Sequence, residues 1–206
     1  MNMETVAYYL ALLSVMAVPA ALAVWFVLHP FARWWRRVGS VGTYAVVLAV
    51  MAVVMWGMYS LREPLLRLHF GVRAPLVTAS VVLFGVSLYM RVRVHRPIPA
   101  GLLVGVPEIS GRGPGQLVTT GIYSRMRHPR YAGMWFAITA VALFTDYLAS
   151  YLIAVMYVPV IYLVTVLEEQ ELSARFGVAY REYCQRVPRF VPRLRAHGAP
   201  ERGDPT

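Results

Sequence analysis

The chain has 206 residues, 58% of them hydrophobic, and a formal net charge of +10. That apolar share is above what a soluble domain of this size carries, so the composition speaks against a soluble globule and for a polytopic membrane protein. All twenty basic residues are arginine, and they crowd at the ends of apolar runs. This is the positive-inside pattern of membrane loops, and it explains the charge without nucleic acid as a partner.

Five apolar runs follow one another: Val6–Leu28, Val41–Tyr59, Pro75–Met90, Tyr131–Phe144 and Leu148–Leu167. A membrane-spanning helix needs roughly 20 apolar residues. The expected fold is therefore all-α, a polytopic membrane protein with about five transmembrane helices. The first run is too long for the apolar region of a signal peptide and is preceded by Glu4 rather than basic residues, so it reads as a retained helix. Pro19 and Pro159 lie inside runs and predict kinks.

Three regions are expected. Residues 1–90 form a three-helix transmembrane scaffold. Residues 91–193 form the catalytic region: a long Gly- and Pro-rich loop over 91–130, a transmembrane hairpin, and a C-terminal helix over 168–187. That last helix carries Leu172, Phe176, Tyr180 and Tyr183 at helical spacing, an amphipathic stripe suited to lying along a membrane surface. Pro188 and Pro192 end it, and residues 194–206 read as a disordered tail.

The segment from Arg91 to Arg130 holds seven arginines against Glu108, and the part after Leu167 holds seven more. The turn Thr145-Asp146-Tyr147 holds none. These counts place the 91–130 loop and the C-terminus in the cytoplasm and the protein in the cell membrane. Arg62, Arg67 and Arg73 then fall on the outer side, against the trend. Cys184 is the one cysteine, so no intramolecular disulfide and no cysteine-type zinc site is expected, and no metal site is predicted. Nothing in the chain specifies an oligomeric state.

Two polar clusters bracket the hairpin and fold back to the same membrane face. The first is Arg127-His128-Pro129. Proline suits the first turn of a helix and holds the preceding residue extended, which presents His128 at a helix N-terminus where an anionic group is favoured. The second is Glu168-Glu169, two carboxylates at a helix C-terminus that opposes their charge. They require compensation, from arginines such as Arg127, Arg130 or Arg175, or from a bound cation. The stretch Gly111-Arg112-Gly113-Pro114-Gly115 is no dinucleotide fingerprint, because no strand precedes it.

The ordered set Leu117-Val118-x-x-Gly121-x-Tyr123, Arg127-His128-Pro129-x-Tyr131, Glu168-Glu169, Phe176-Gly177-x-x-Tyr180-x-x-Tyr183 and a closing Val-Pro-Arg resembles the isoprenylcysteine carboxyl methyltransferase family. Its bacterial and archaeal relatives include phospholipid and thiol methyltransferases. The resemblance covers roughly residues 105–193. It implies an integral-membrane enzyme that transfers a methyl group from S-adenosyl-L-methionine, with a cytoplasmic cofactor pocket formed by a loop and the C-terminal helix. Carried over by position, Gly115, Gln116, Leu117, Val118, Tyr123, His128, Tyr131, Glu168 and Glu169 bind the cofactor, and His128 and Glu168 are catalytic. In the prenylcysteine enzymes an arginine stands a turn before the paired glutamates, whereas this chain reads Val164-Thr165-Val166-Leu167. That departure favours a lipid amine or a small hydrophobic thiol over a prenylcysteine carboxylate as the lipophilic acceptor. Two alternatives are a membrane sterol or steroid reductase using NADPH and a non-enzymatic membrane subunit.

Overall fold

The computed structural model describes residues 2–28, 32–95 and 117–191. Helices α1 (Met3–Leu28), α2 (Ala32–Ser60), α3 (Arg62–Leu65) and α4 (Ala74–His95) come first. A 3-10 turn at Gly121–Ser124 leads into α5 (Pro129–Thr145), α6 (Leu148–Phe176) and α7 (Val178–Arg186). Among the described residues there is no strand, only an isolated antiparallel bridge between His69 and Tyr147. The all-α membrane expectation holds.

Four segments are long and apolar enough to cross a bilayer: Met3–Leu28, Val41–Ser60, Ala74–Val94 and Leu148–Phe176. The expected fifth, α5, has 17 residues. At a 1.5 Å rise it extends about 26 Å, short of a hydrocarbon core of about 30 Å. It lies at the lower limit of the roughly 17–25 residues of a span and packs between α4 and α6. The third run, too short when read as Pro75–Met90, becomes sufficient because α4 continues to His95 through Arg91 and Arg93.

The second span starts at Val41 because Gly39 interrupts α2 with φ 80° and ψ 170°, a backbone region glycine enters without steric cost. The Thr43 hydroxyl donates to the Gly39 carbonyl at 2.8 Å and restarts the helix. Just before the break, the Trp35 indole donates to the Val27 carbonyl at 2.9 Å, tying the start of α2 to the end of α1.

The core lies where α1, α5 and α6 meet. Tyr131, Ile138, Ala142, Ala154, Tyr157, Ile161 and Val164 are buried together, with Trp25 of α1 against them. On its other side α5 packs on α4, and Gly133 permits the approach: a Cβ there would lie 3.3 Å from the Met90 Cβ. Between these two helices a cleft of about 310 Å³ remains, lined by Ser87, Arg91, Pro129, Arg130, Met134 and Ala137 among others.

One end of the bundle is closed by the α5–α6 turn. Asp146 is wholly buried with φ 53°, and its carboxylate accepts two hydrogen bonds from Arg73, at 2.7 and 3.1 Å, and one from the Tyr151 hydroxyl at 2.8 Å. The Phe70 N–H donates to the Asp146 carbonyl and the Leu148 N–H to the Leu68 carbonyl, both at 3.1 Å. Glu4 joins the same end, 3.2 Å from His69 Nε2. Burial works against the Asp146 charge, but the Arg73 and Tyr151 hydrogen bonds outweigh it and hold the carboxyl below its ordinary range. A lowered folded-state pKa contributes stability at neutral pH that is lost as the pH falls through that value. Asp146→Asn, which keeps the left-handed backbone, should cost about 2 kcal/mol at pH 7. Thermal melts in detergent at pH 7 and pH 3 should show the gap to wild type closing in acid; a constant gap refutes the linkage.

Candidate active site

The opposite end of the bundle gathers the polar residues. His128 caps α5 and Pro129 is the first helical residue. The proline suits that position because its missing N–H has no helical acceptor there. His128 has φ −121° as a pre-proline residue should, but ψ is 57° rather than extended. The expected extended conformation is corrected by a local pairing: the Arg127 N–H donates to the Pro188 carbonyl at 2.9 Å, and the His128 N–H to the Arg189 carbonyl at 3.1 Å. The segment after α7 thus lies alongside the entry to α5.

The imidazole is buried, with side-chain exposure of 4%. Its Nε2 lies 3.0 Å from Glu169 Oε1 and its Nδ1 lies 3.6 Å from Glu168 Oε2. With the proton assigned to Nε2, the ring donates to Glu169. Glu169 also accepts a bidentate pair from Arg189, at 2.9 Å from Nε and 2.6 Å from Nη2. Arg127 Nη2 adds a weaker contact at 3.5 Å. The Arg189 guanidinium in turn sits 4.7 Å from the centroid of the Tyr162 ring. Glu169 is fully engaged by the protein.

Glu168 is not. Its Oε2 is buried and has no hydrogen-bond partner. A buried carboxylate oxygen in that state carries an uncompensated desolvation cost, which a cationic or hydroxylic ligand removes. Tyr123 lies within its field: burial raises the phenol, Arg130 opposes and Glu168 adds to the rise, leaving it at about 12. Tyr123 therefore stays a neutral hydroxyl, a donor beside a carboxylate.

Tyr131 stands one turn into α5, 5.8 Å ring to ring from His128 and 5.9 Å from Trp25, and its carbonyl accepts from the Tyr157 hydroxyl at 3.2 Å. The Tyr123 carbonyl accepts from the Tyr183 hydroxyl at 2.7 Å. Leu117 packs against Tyr180, Tyr183 and Val187, together with Leu172 and Phe176. The stripe expected to lie on a membrane surface is thus folded inward, because Gly177 (φ 59°) turns α7 off the end of α6 and Leu117 covers it. Val118 is half-buried beside this cluster. Gly115 and Gln116 lie outside the described residues, as does the segment 194–206.

Sequence reading missed Arg189. Its only signal is Val187-Pro188, which ends α7 and fixes Val187 at φ −115°, ψ 125°, sending the chain back toward His128. The two glutamates differ in their surroundings. Glu169 is the centre of the protein's own ion-pair network, while Glu168 holds the oxygen without a hydrogen-bond partner. Among the described residues no group of three or more His, Cys, Asp or Glu is arranged to hold a metal ion.

The model of the family described as phospholipid methyltransferase matches residues 76–179, from α4 to the start of α7. The chain belongs to that family. It is one of the isoprenylcysteine carboxyl methyltransferase-like membrane methyltransferases, as the motifs lead one to expect. Over 86 residues this phospholipid methyltransferase family member is 34% identical to the nickel-cobalt-cadmium resistance protein NccN of Alcaligenes xylosoxydans xylosoxydans, covering 42% of this chain and 40% of the relative. It is equally similar, over the same shares, to the cobalt-zinc-cadmium resistance protein CzcN of Cupriavidus metallidurans. It is 35% identical over 103 residues to the Delta(14)-sterol reductase TM7SF2 of Mus musculus, covering 47% of this chain and 23% of that protein. The chain spans less than half the length of these curated relatives.

Proposed function

We propose that the protein transfers a methyl group from S-adenosylmethionine to a lipophilic or lipid-like acceptor in the membrane. The observation that carries this reading is the buried, unpartnered Glu168 Oε2 beside His128, in a chain of the phospholipid methyltransferase family. The residues fit the cofactor. Glu168 offers an acceptor to its ammonium group or ribose hydroxyls, and Tyr123 and Tyr131 flank that carboxylate. Leu117 and Val118 would supply the loop side, and Glu169 would act through the His128 ring it holds. When bound, S-adenosylmethionine supplies a methyl group on a positively charged sulfur.

Displacement at such a methyl demands alignment more than acid–base machinery. Pro129 and the Arg189 carbonyl fix the His128 backbone, and Glu169 fixes its ring. An amine or thiol acceptor must lose a proton, and His128 is placed to take it. A carboxylate acceptor needs no base. The cleft between α4 and α5 is apolar along Met134 and Ala137 and carries Arg91 and Arg130 at one end, which suits an amphipathic acceptor. The arginine density at the His128 end favours a cytoplasmic location for the site.

The likeness to a sterol reductase keeps a second reading in view, with NADPH as cofactor. Isothermal titration of the detergent-purified protein separates the two. S-adenosylmethionine is expected to bind with a Kd of about micromolar order, near −8 kcal/mol, and NADPH not at all. The reverse result establishes the reductase reading. Binding of neither by a folded protein points to a non-enzymatic subunit.

A further inference from the structure

The geometry points to Arg189 as the positioning residue of this site: by neutralising and aiming Glu169, it keeps His128 able to accept a proton and leaves Glu168 free for a cationic ligand. The inference rests on the proposed role of His128 as proton acceptor. Two carboxylates from adjacent positions on α6 approach one imidazole, Glu169 at 3.0 Å and Glu168 at 3.6 Å. Left uncompensated, both charges favour the imidazolium, which has no lone pair with which to take a proton. Some group must cancel one of them.

Arg189 is the group built to do so. It grips both Glu169 oxygens with a planar fork, a geometry a lysine ammonium does not match. Its guanidinium is backed by the Tyr162 ring. Its own carbonyl accepts the His128 N–H, so one residue registers the main chain of the histidine and the side chain of the glutamate together. The other charged groups near the ring are placed differently. Arg127 reaches Glu169 with one contact at 3.5 Å and leaves its buried Nε unpartnered. The Arg130 guanidinium lies over Trp25, 5.5 Å from the ring centroid. Tyr123 and Tyr131 are neutral phenols at physiological pH, and Phe190, 6.0 Å from His128 ring to ring, is apolar.

The test is a histidine ¹³Cε1 NMR titration of the full-length protein in detergent micelles, with the His128 resonance assigned by its loss in His128→Gln. In Arg189→Gln the His128 midpoint should move to higher pH by about one unit or more, because Glu169 then acts on the ring unopposed. In Arg189→Gln/Glu169→Gln it should return toward wild type. A simple loss of packing would broaden signals without this paired behaviour. An unchanged midpoint in folded Arg189→Gln overturns the inference. Should that variant fail to fold, Glu169→Gln is compared with the double variant. The double variant must titrate higher, and equality overturns the inference. Calorimetric titration of wild type with S-adenosylmethionine is run beside it. Absence of binding there refutes the proposed function and leaves the charge coupling to be judged on the NMR result.

Discussion

Glu168→Gln is expected to weaken S-adenosylmethionine binding by about tenfold or more while leaving the thermal midpoint of the free protein nearly unchanged. The reason is that one buried oxygen of Glu168 is left without a hydrogen-bond partner in the protein. That oxygen, Oε2, lies 3.6 Å from His128 Nδ1, while the Tyr131 hydroxyl interacts with the carboxylate. Glutamine keeps the size of the side chain and an oxygen that can accept from Tyr131 while removing the charge, so the protein itself loses little. A cationic ligand loses a charge-assisted contact worth about 1.5–3 kcal/mol, and 1.4 kcal/mol is a factor of ten in affinity. Calorimetry and a melting curve on the same preparation read both halves of the prediction. Affinity equal to wild type would sink the assignment of Glu168.

Glu169→Ala should show the opposite pattern. Here the protein is the principal ligand: the Arg189 fork, the Arg127 contact and the His128 ring all converge on one carboxylate with 13% side-chain exposure. Removing it takes the shared carboxylate from two guanidinium groups and the acceptor from His128 Nε2. Breaking one side of a buried ion pair costs about 3 kcal/mol, and methyl transfer should fall to background because His128 loses its orientation. The thermal midpoint in detergent and incorporation of labelled methyl groups into membrane lipids measure the two effects. A variant that melts like wild type would show that the network is not what holds this end together. The two neighbouring glutamates are thus separable by experiment, one by ligand affinity and one by stability.

Adjacent residues on a helix point about 100° apart, so a Glu-Glu pair announces two directions without saying which meets the protein and which meets a ligand. That is why the pair was legible in the sequence and its division of labour was not. Helix positions were readable from apolar run length, and His128-Pro129 announced the α5 N-terminus through the chemistry of proline. Arg189 was hidden because its partner backbone lies at Arg127 and His128, and no local periodicity encodes a pairing across that separation. The Leu172–Tyr183 stripe was correctly amphipathic, but amphipathy does not name what covers the face, and Leu117 does. Arg73 stood against the charge trend for a related reason. It is engaged by Asp146, on a turn whose lack of arginine was visible and whose buried carboxylate was not. The proposed contacts of Gly115 and Gln116 belong to a segment outside the described residues.

Helix α6 runs unbroken for 29 residues, with Pro159 inside it and the two glutamates in its last third. At 1.5 Å per residue it measures about 43 Å, well beyond a hydrocarbon core of about 30 Å. The carboxylates therefore sit near one end of a long helix whose other end follows the pinned Asp146. Their height above the acyl chains depends on how thick those chains make the membrane. A bilayer of longer lipids would draw this end of the helix toward the oil and raise the cost of the Glu168 charge, whereas shorter lipids would lower that cost. Acyl-chain length thereby becomes a variable of the site itself, acting on a residue that no lipid needs to touch.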